Sequence, residues 1–347
     1  MVNRPGQMLA RFLSNNDYHP VILCGTSQAG KTTMLASLCA FISTCGTASF
    51  DFGEWFDQGE SSEAREQLDE AQRFFRDMVY QFRNGVAPDA THFHLPYIVP
   101  LKVTATDINM MPRGSDGRPR SARFAIMDMR GEFFKPNPVD IYRPMHAEAE
   151  SLLHAFERGV SMVYLAPISR VDGYTGQSGQ REPHQVSDGR SAFMEDPDAA
   201  LVNAIKGYER VRPTRANDRH LYMLTKWDLH THGPESNEFA TPDKGAIESI
   251  LRRQYSSSWA AFQAMRAARR AKWFMQYSAG VISGRQVIQP QGESIECMQR
   301  YSKVIWNWLY EGAARGTQNE DAPLLFPDIV PRQPSWYERM LAGQRPS

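Results

Sequence analysis

The densest chemistry in the chain lies in Gly25-Thr26-Ser27-Gln28-Ala29-Gly30-Lys31-Thr32, a complete GxxxxGK[ST] pattern. Glycines at both ends let the backbone turn sharply, so that the amides of Thr26, Ser27, Gln28 and Ala29 can converge on an anion. Lys31 supplies a mobile ammonium for the outer phosphates, and the Thr32 hydroxyl is a hard oxygen ligand suited to Mg²⁺. Thr33 continues into a helix whose positive N-terminal end favours negative charge. This combination predicts a site for the phosphates of a nucleotide.

A second constellation is Asp128-Met-Arg130-Gly131-Glu132, which follows the apolar run Phe124–Met127. A carboxylate at a strand end beside the phosphate loop is placed to join Thr32 on Mg²⁺. Gly131 offers an amide that can approach a terminal phosphate, on a backbone free to rearrange when that phosphate leaves. The third is Thr225-Lys226-Trp227-Asp228, directly after the apolar strand Leu221–Leu224. The two carboxylate oxygens of Asp228 match the paired N–H donors of a guanine edge, where adenine presents one acceptor and one donor. The Lys226 stem can lie over a purine or along the phosphate loop. A fourth, shorter element is Ser278-Ala279-Gly280, whose amides can meet the guanine carbonyl.

These loops need strands to carry them, and the chain provides short apolar runs alternating with helical periods. That alternation predicts an α/β fold, with a mostly parallel central sheet flanked by helices. His19–Cys24 reads as the strand before the phosphate loop. Met34, Leu35, Leu38, Phe41 and Ile42 then make the buried stripe of a helix. A second helix is expected over Ser62–Arg83, with the stripe Leu68, Ala71, Phe75, Met78 and Phe82, ended by Asn84-Gly85. Val99–Ala105 alternates as a strand antiparallel to Arg123–Asp128. Further strands are expected at Ser161–Pro167, Leu221–Leu224 and Trp273–Tyr277. Helices are expected at Ala147–Arg158, Asp198–Glu209 and within Lys244–Arg270. A last helix would bury Ile295, Met298, Val304, Ile305, Trp308 and Leu309.

The order Gly25–Thr32, Asp128–Gly131, Thr225–Asp228, Ser278–Ala279 resembles the four sequence boxes of TRAFAC-class P-loop GTPases, over roughly residues 18–313. The resemblance implies a Ras-like G domain with a helical insert before the second strand, GTP/GDP and Mg²⁺ as ligands, and a protein effector or activating partner. The DxxGE ending and the stretch Gly85…Pro88-Asp-Ala-Thr91 are similar to bacterial double-GTPase domains of conflict and defence systems. Within the resemblance Thr91 is the best-placed switch threonine for Mg²⁺ and the terminal phosphate, with Thr104 and Thr106 expected inside the strand. Glu132 stands where Ras-like proteins carry glutamine. A carboxylate there repels the terminal phosphate yet can take a proton from attacking water, so slow hydrolysis stimulated by a partner is expected. Arg130 and Arg83 are candidate arginine fingers, a solvated surface arginine being the other reading of each. Two alternatives stay open: a structural subunit that holds a guanine nucleotide without turnover, and an ATP-dependent P-loop enzyme.

Composition sets the frame. With 39 Lys+Arg against 39 Asp+Glu, the chain lacks the charge excess of a dedicated nucleic-acid binder. Nucleic acid is therefore not the favoured partner, although Arg252, Arg253, Arg266, Arg269, Arg270 and Lys272 form a basic region. No apolar run approaches the roughly 20 residues that a membrane-crossing helix needs. Cys24, Cys39, Cys45 and Cys297 form no CxxC pair, which with the missing leader pattern suggests reduced thiols and a cytoplasmic location. The pairs His92/His94 and His230/His232 lack partners at zinc spacing. Residues 1–17 read as an N-terminal extension, about 46–97 as the helical insert, about 169–190 as a mobile loop and 314–347 as a proline-rich tail.

Overall fold

The computed structural model describes residue 15 and residues 17–26, 29–44, 48–51, 62–88, 97–105, 121–128, 153–154, 156, 159–168, 196–212, 217–227, 244–267, 271–283, 286–288 and 293–316. Seven strands form one sheet: β1 (His19–Cys24), β2 (Ala48–Asp51), β3 (Tyr97–Ala105), β4 (Ser121–Asp128), β5 (Ser161–Pro167), β6 (Arg219–Thr225) and β7 (Lys272–Gln276). A separate hairpin pairs β8 (Val281–Ser283) with β9 (Gln286–Ile288). The helices are α1 (Lys31–Thr44), α2 (Ser62–Arg83), α3 (Pro197–Val211), α4 (Lys244–Gln254), α5 (Ser256–Ala264) and α6 (Glu293–Gly316).

The sheet order is β2–β3–β4–β1–β5–β6–β7. β4, β5, β6 and β7 run parallel to β1 or to one another, and only β3 opposes its neighbours. β1, β5 and β6 are mostly apolar and almost wholly buried along their length, as strands covered on both faces are. The chain leaves β1 towards β4 on one side and later returns to place β5 on the other. All parallel strands therefore end at one edge, with a topological switch beside β1, where open α/β sheets collect ligands.

Ser161 and Tyr164 show the two layers, since residues three apart on a strand point to opposite faces. Ser161 bonds His19 at 2.8 Å on the face covered by α6, where a Cβ on Gly312 would meet both side chains at 3.0 Å. Tyr164 faces the aromatic cluster of the other layer, with Phe262 and Tyr222 at 6.0 and 6.3 Å between centroids. Trp259 and Phe274 extend that cluster, their rings 5.3 Å apart.

Expected helix and strand positions agree with the fold at most elements, and α2 spans Ser62–Arg83 as read. Phe75, Met78 and Phe82 are buried, while the side chains of Leu68 and Ala71 lie outside the described residues. Gly85 stops the helix with a φ of +76°, and its amide bonds Phe82 O at 3.0 Å. Two expectations need correction. The insert before β3 also contributes a strand, β2, which pairs antiparallel with β3; four residues were too short to show alternation. The helices expected within Lys244–Arg270 are α4 and α5, divided at Tyr255 without glycine or proline. The physical reason lies outside the segment: the Asp198 carboxylate, on α3, accepts bonds from the amides of Ser257 and Ser258 at 3.0 and 2.8 Å and so starts a new helix there. Finally, α6 runs on to Gly316, and it buries Trp306, Asn307 and Tyr310 besides the expected Ile305, Trp308 and Leu309. It packs on the sheet beside α1, with Trp306 Nε1 donating to Leu38 O of α1 at 3.0 Å and its ring 5.7 Å from Phe124. The expected helix Ala147–Arg158 is described at Leu153 and His154, both helical, and at Phe156, which is not, and residues 169–190 lie outside the described residues.

Two buried histidines make the fold acid-sensitive. His19 is held near pKa 3, chiefly by burial and then by the nearby Arg219 guanidinium. His220 is also held near 3, by burial first and then by Lys272 and Arg212. Both rings stay neutral in the folded chain but take a proton at about 6.5 when unfolded. Their contribution is complete above that value and is lost as pH falls from 6.5 towards 3. Each histidine then costs about 2 kcal/mol at pH 5. Urea midpoints should therefore drop between pH 7 and pH 5, and His19→Gln together with His220→Gln should flatten the drop.

Candidate functional site

β1 ends at Cys24 and delivers the chain to Gly25 at the switch-point edge. A Cβ on Gly25 would lie 2.9 Å from both Leu165 O and Ala29 Cβ, so the close approach of β5 admits glycine alone. Gly30 has φ +87°, a backbone that glycine adopts without cost. The loop between is closed by Ala29 N donating to Thr26 O at 3.2 Å, and α1 begins with Met34 N donating to Gly30 O at 2.8 Å. No acidic residue stands in the first turn of α1, so no carboxylate of that turn offsets the positive helix end that faces the loop.

Lys31 is buried, and its Nζ donates to Gly25 O at 3.0 Å and Thr26 O at 2.9 Å. Two inward carbonyls thus hold an ammonium at the loop. The Thr32 hydroxyl donates to Asp128 Oδ2 at 2.9 Å. Asp128 is the last residue of β4 and pairs with Leu23 of β1, which brings its carboxylate alongside the helix start. Two hard oxygen donors therefore sit together beside the helix N-terminus, a donor set that suits Mg²⁺. Among the described residues there is no cluster of three or more His, Cys, Asp or Glu side chains that could hold a metal on their own.

From the far side of β5, the Thr225 hydroxyl at the end of β6 donates to Ala29 O at 2.8 Å. That bond joins the end of β6 to the phosphate loop. Lys226 follows with φ +60°, an uncommon backbone for a residue with a Cβ. Trp227 is buried, and its amide donates to Tyr277 O at 3.1 Å while Tyr277 N donates to Leu224 O at 2.8 Å. The loop after β6 is thereby fastened to the loop after β7. There Gly280 N donates to Ser278 Oγ at 3.2 Å, and both Ser278 and Ala279 are buried.

Of the residues singled out in the sequence, the structure gathers Gly25, Thr26, Ala29, Gly30, Lys31, Thr32 and Asp128 around one loop. Thr33 lies in the first turn of α1, and Thr225 touches the loop directly. Lys226, Ser278 and Ala279 adjoin through the backbone bonds just given. Ser27, Gln28, Thr91, Arg130, Gly131, Glu132 and Asp228 lie outside the described residues, as do Thr106, His92, His94, His230 and His232. Thr104 is within β3 as expected. Arg83 stands in the last turn of α2, where a positive charge suits the helix end.

Sequence reasoning assigned Thr225 to ligand contact and did not foresee its hydroxyl bond to Ala29 O. Nor did it foresee Leu165 as the reason for Gly25. Neither relation has a local signature, because each joins strands far apart in the chain.

No family model and no curated protein sequence matches the chain. Among solved structures it is similar to the Saccharomyces cerevisiae Ski7 GTPase-like domain bound to GTP, at 12% identity and a TM-score of 0.32, over 76% of this chain and 44% of that one. The chain thus spans less than half the length of that structure, and at that score the likeness carries no argument about function. No helix among the described residues is long and apolar enough to cross a membrane.

Proposed function

We propose that the chain is a P-loop GTPase of the G-domain type, a guanine-nucleotide switch with slow, Mg²⁺-dependent GTP hydrolysis stimulated by a protein partner. One observation carries the reading: Lys31, the Thr32–Asp128 pair and Thr225 meet at a single glycine-edged loop at the switch point of a mostly parallel sheet. Lys31 would leave the two loop carbonyls for the outer phosphates, exchanging neutral acceptors for charged ones. Thr32 and Asp128 would hold Mg²⁺, which supplies charge neutralisation on the phosphate oxygens when bound. Thr91 would complete that arrangement, and Gly131 would offer its amide to the terminal phosphate. Asp228 would read the guanine edge, with Ser278 and Ala279 closing the other side. Glu132 would accept the proton of attacking water, and Arg130 would stabilise charge on the transferred phosphoryl group. The nucleotide-binding unit is residues 18–313.

Affinities for GTP, GDP and ATP, each with and without Mg²⁺, test this. GTP and GDP should bind at least about a hundredfold more tightly than ATP, the discrimination that mismatched buried polar groups produce. Asp228→Asn should shift the preference towards xanthine nucleotides with an unchanged melting temperature. Equal affinity for ATP and GTP would remove the guanine assignment. In single-turnover assays bound GTP should convert to GDP over minutes to hours, whereas a purely structural binder would keep it intact.

A further inference from the structure

The hairpin β8–β9 has no place in the main sheet, yet it connects two parts of the molecule far apart in sequence. Its first strand starts at Val281, directly after Gly280 of the loop that ends with Ser278-Ala279-Gly280. Its second strand lies against the turn that terminates α2: Val287 N donates to Gly85 O at 2.7 Å, and Val86 forms an antiparallel bridge with Gln286. Val287 is buried at this contact.

The turn is itself tightly set. Gly85 N donates to Phe82 O at 3.0 Å and Val86 N to Gln81 O at 2.9 Å, while Asn84 Nδ2 donates to Tyr80 O at 2.9 Å. The positive φ of Gly85 directs its carbonyl to Val287, in a backbone that glycine or asparagine adopts readily. Phe75, Met78, Val79 and Phe82 anchor α2 in the core, so the turn is a fixed support for the hairpin.

We propose that the turn Asn84–Val86 is a positioning element of base recognition: through β9 and β8 it holds the Ser278–Gly280 loop where a guanine ring would meet it. This rests on the guanine-nucleotide reading above and deepens it. The phosphate loop is built from β1, β4, β5 and β6 and does not use the hairpin. The turn therefore acts on the base portion of the ligand and leaves the phosphate portion untouched. Coupling between sites is reciprocal, so a bound base must also steady the end of α2.

The test compares GDP with inorganic pyrophosphate on the full chain. Calorimetry gives both affinities for the wild type, for Val287→Pro, which removes the donor to Gly85 O, and for Gly85→Asn, which keeps the left-handed turn. Val287→Pro should lose about fivefold to tenfold in GDP affinity, the size of one net backbone hydrogen bond, with pyrophosphate affinity unchanged. Gly85→Asn should retain both. In the wild type, GDP should slow amide exchange at Val86 and Val287, and pyrophosphate should not. Parallel loss of both ligands in Val287→Pro, or equal exchange with either ligand, overturns the proposal. Should Val287→Pro fail to fold, the wild-type exchange comparison decides alone. If GDP binds the wild type no better than pyrophosphate, the guanine reading itself fails, which is a different result from GDP discrimination that survives Val287→Pro.

Discussion

Lys31→Ala should reduce GTP affinity by at least about a hundredfold while leaving the fold in place. The side chain has two sets of partners to choose between. In the free protein its ammonium is held by Gly25 O and Thr26 O, neutral acceptors that water can also serve once the lysine is gone. With a nucleotide bound, the same ammonium would face phosphate oxygens, and hydrogen bonds between charged partners are worth roughly 1.5–3 kcal/mol each. Two such bonds account for a hundredfold change. Differential scanning fluorimetry separates the effects: wild type should gain several degrees on addition of Mg²⁺·GTP, while Lys31→Ala should melt close to the free wild type and gain nothing. A variant that binds GTP as tightly as the wild type would remove the phosphate site on which the functional reading stands. Lys31→Arg should not rescue, because a planar guanidinium is not the compact point charge that this loop encloses.

The second large effect is on stability. Between α3 and β6, Arg212 and Asp218 form a buried ion pair, with side chains 2% and 1% exposed and Nε to Oδ2 at 2.7 Å. Asp218 also accepts bonds from Arg212 Nη2 at 3.0 Å, Tyr208 OH at 2.7 Å and Val160 N at 2.9 Å. Arg212 Nη1 donates to Leu153 O at 2.8 Å and to Phe156 O. Each charge is thus fully occupied, and removing one strands the other away from water. Asp218→Ala should cost about 3–5 kcal/mol, a large part of the roughly 5–15 kcal/mol that holds a domain together. Arg212→Met combined with Asp218→Leu should recover most of that loss, since well-packed apolar pairs often replace buried ion pairs without penalty. Urea unfolding of the two variants beside the wild type is the measurement, and equal losses in the single and double variants would contradict this account.

Much of the phosphate loop was legible because its requirements are local. Glycine at a positive φ, lysine and threonine at a helix start, and an apolar strand before them all lie within one short stretch. α2 was legible for the same reason, with a stripe of period 3.6 and an Asn-Gly stop. The Arg212–Asp218 pair was not, since nothing in either residue type distinguishes a buried ion pair from two solvated charges. The break at Tyr255 was hidden too, because its cause is the Asp198 carboxylate on another helix. On α6 the periodicity of Ile305, Trp308 and Leu309 marked one buried side. The burial of Trp306 follows from its bond to Leu38 of α1, a relation that no single helix can announce.

A Cβ on Gly312 would meet His19 and Ser161 at 3.0 Å, so the underside of the strand that leads into the glycine-edged loop is closely covered by α6, the last described helix. A ribosome releases β1 early and α6 late, at about 5–20 residues per second. For most of that interval the flank at His19 and Ser161 lacks its α6 cover. The glycine-edged loop is therefore made early while its underside is covered late, and the strand beneath it is complete only once α6 has left the ribosome.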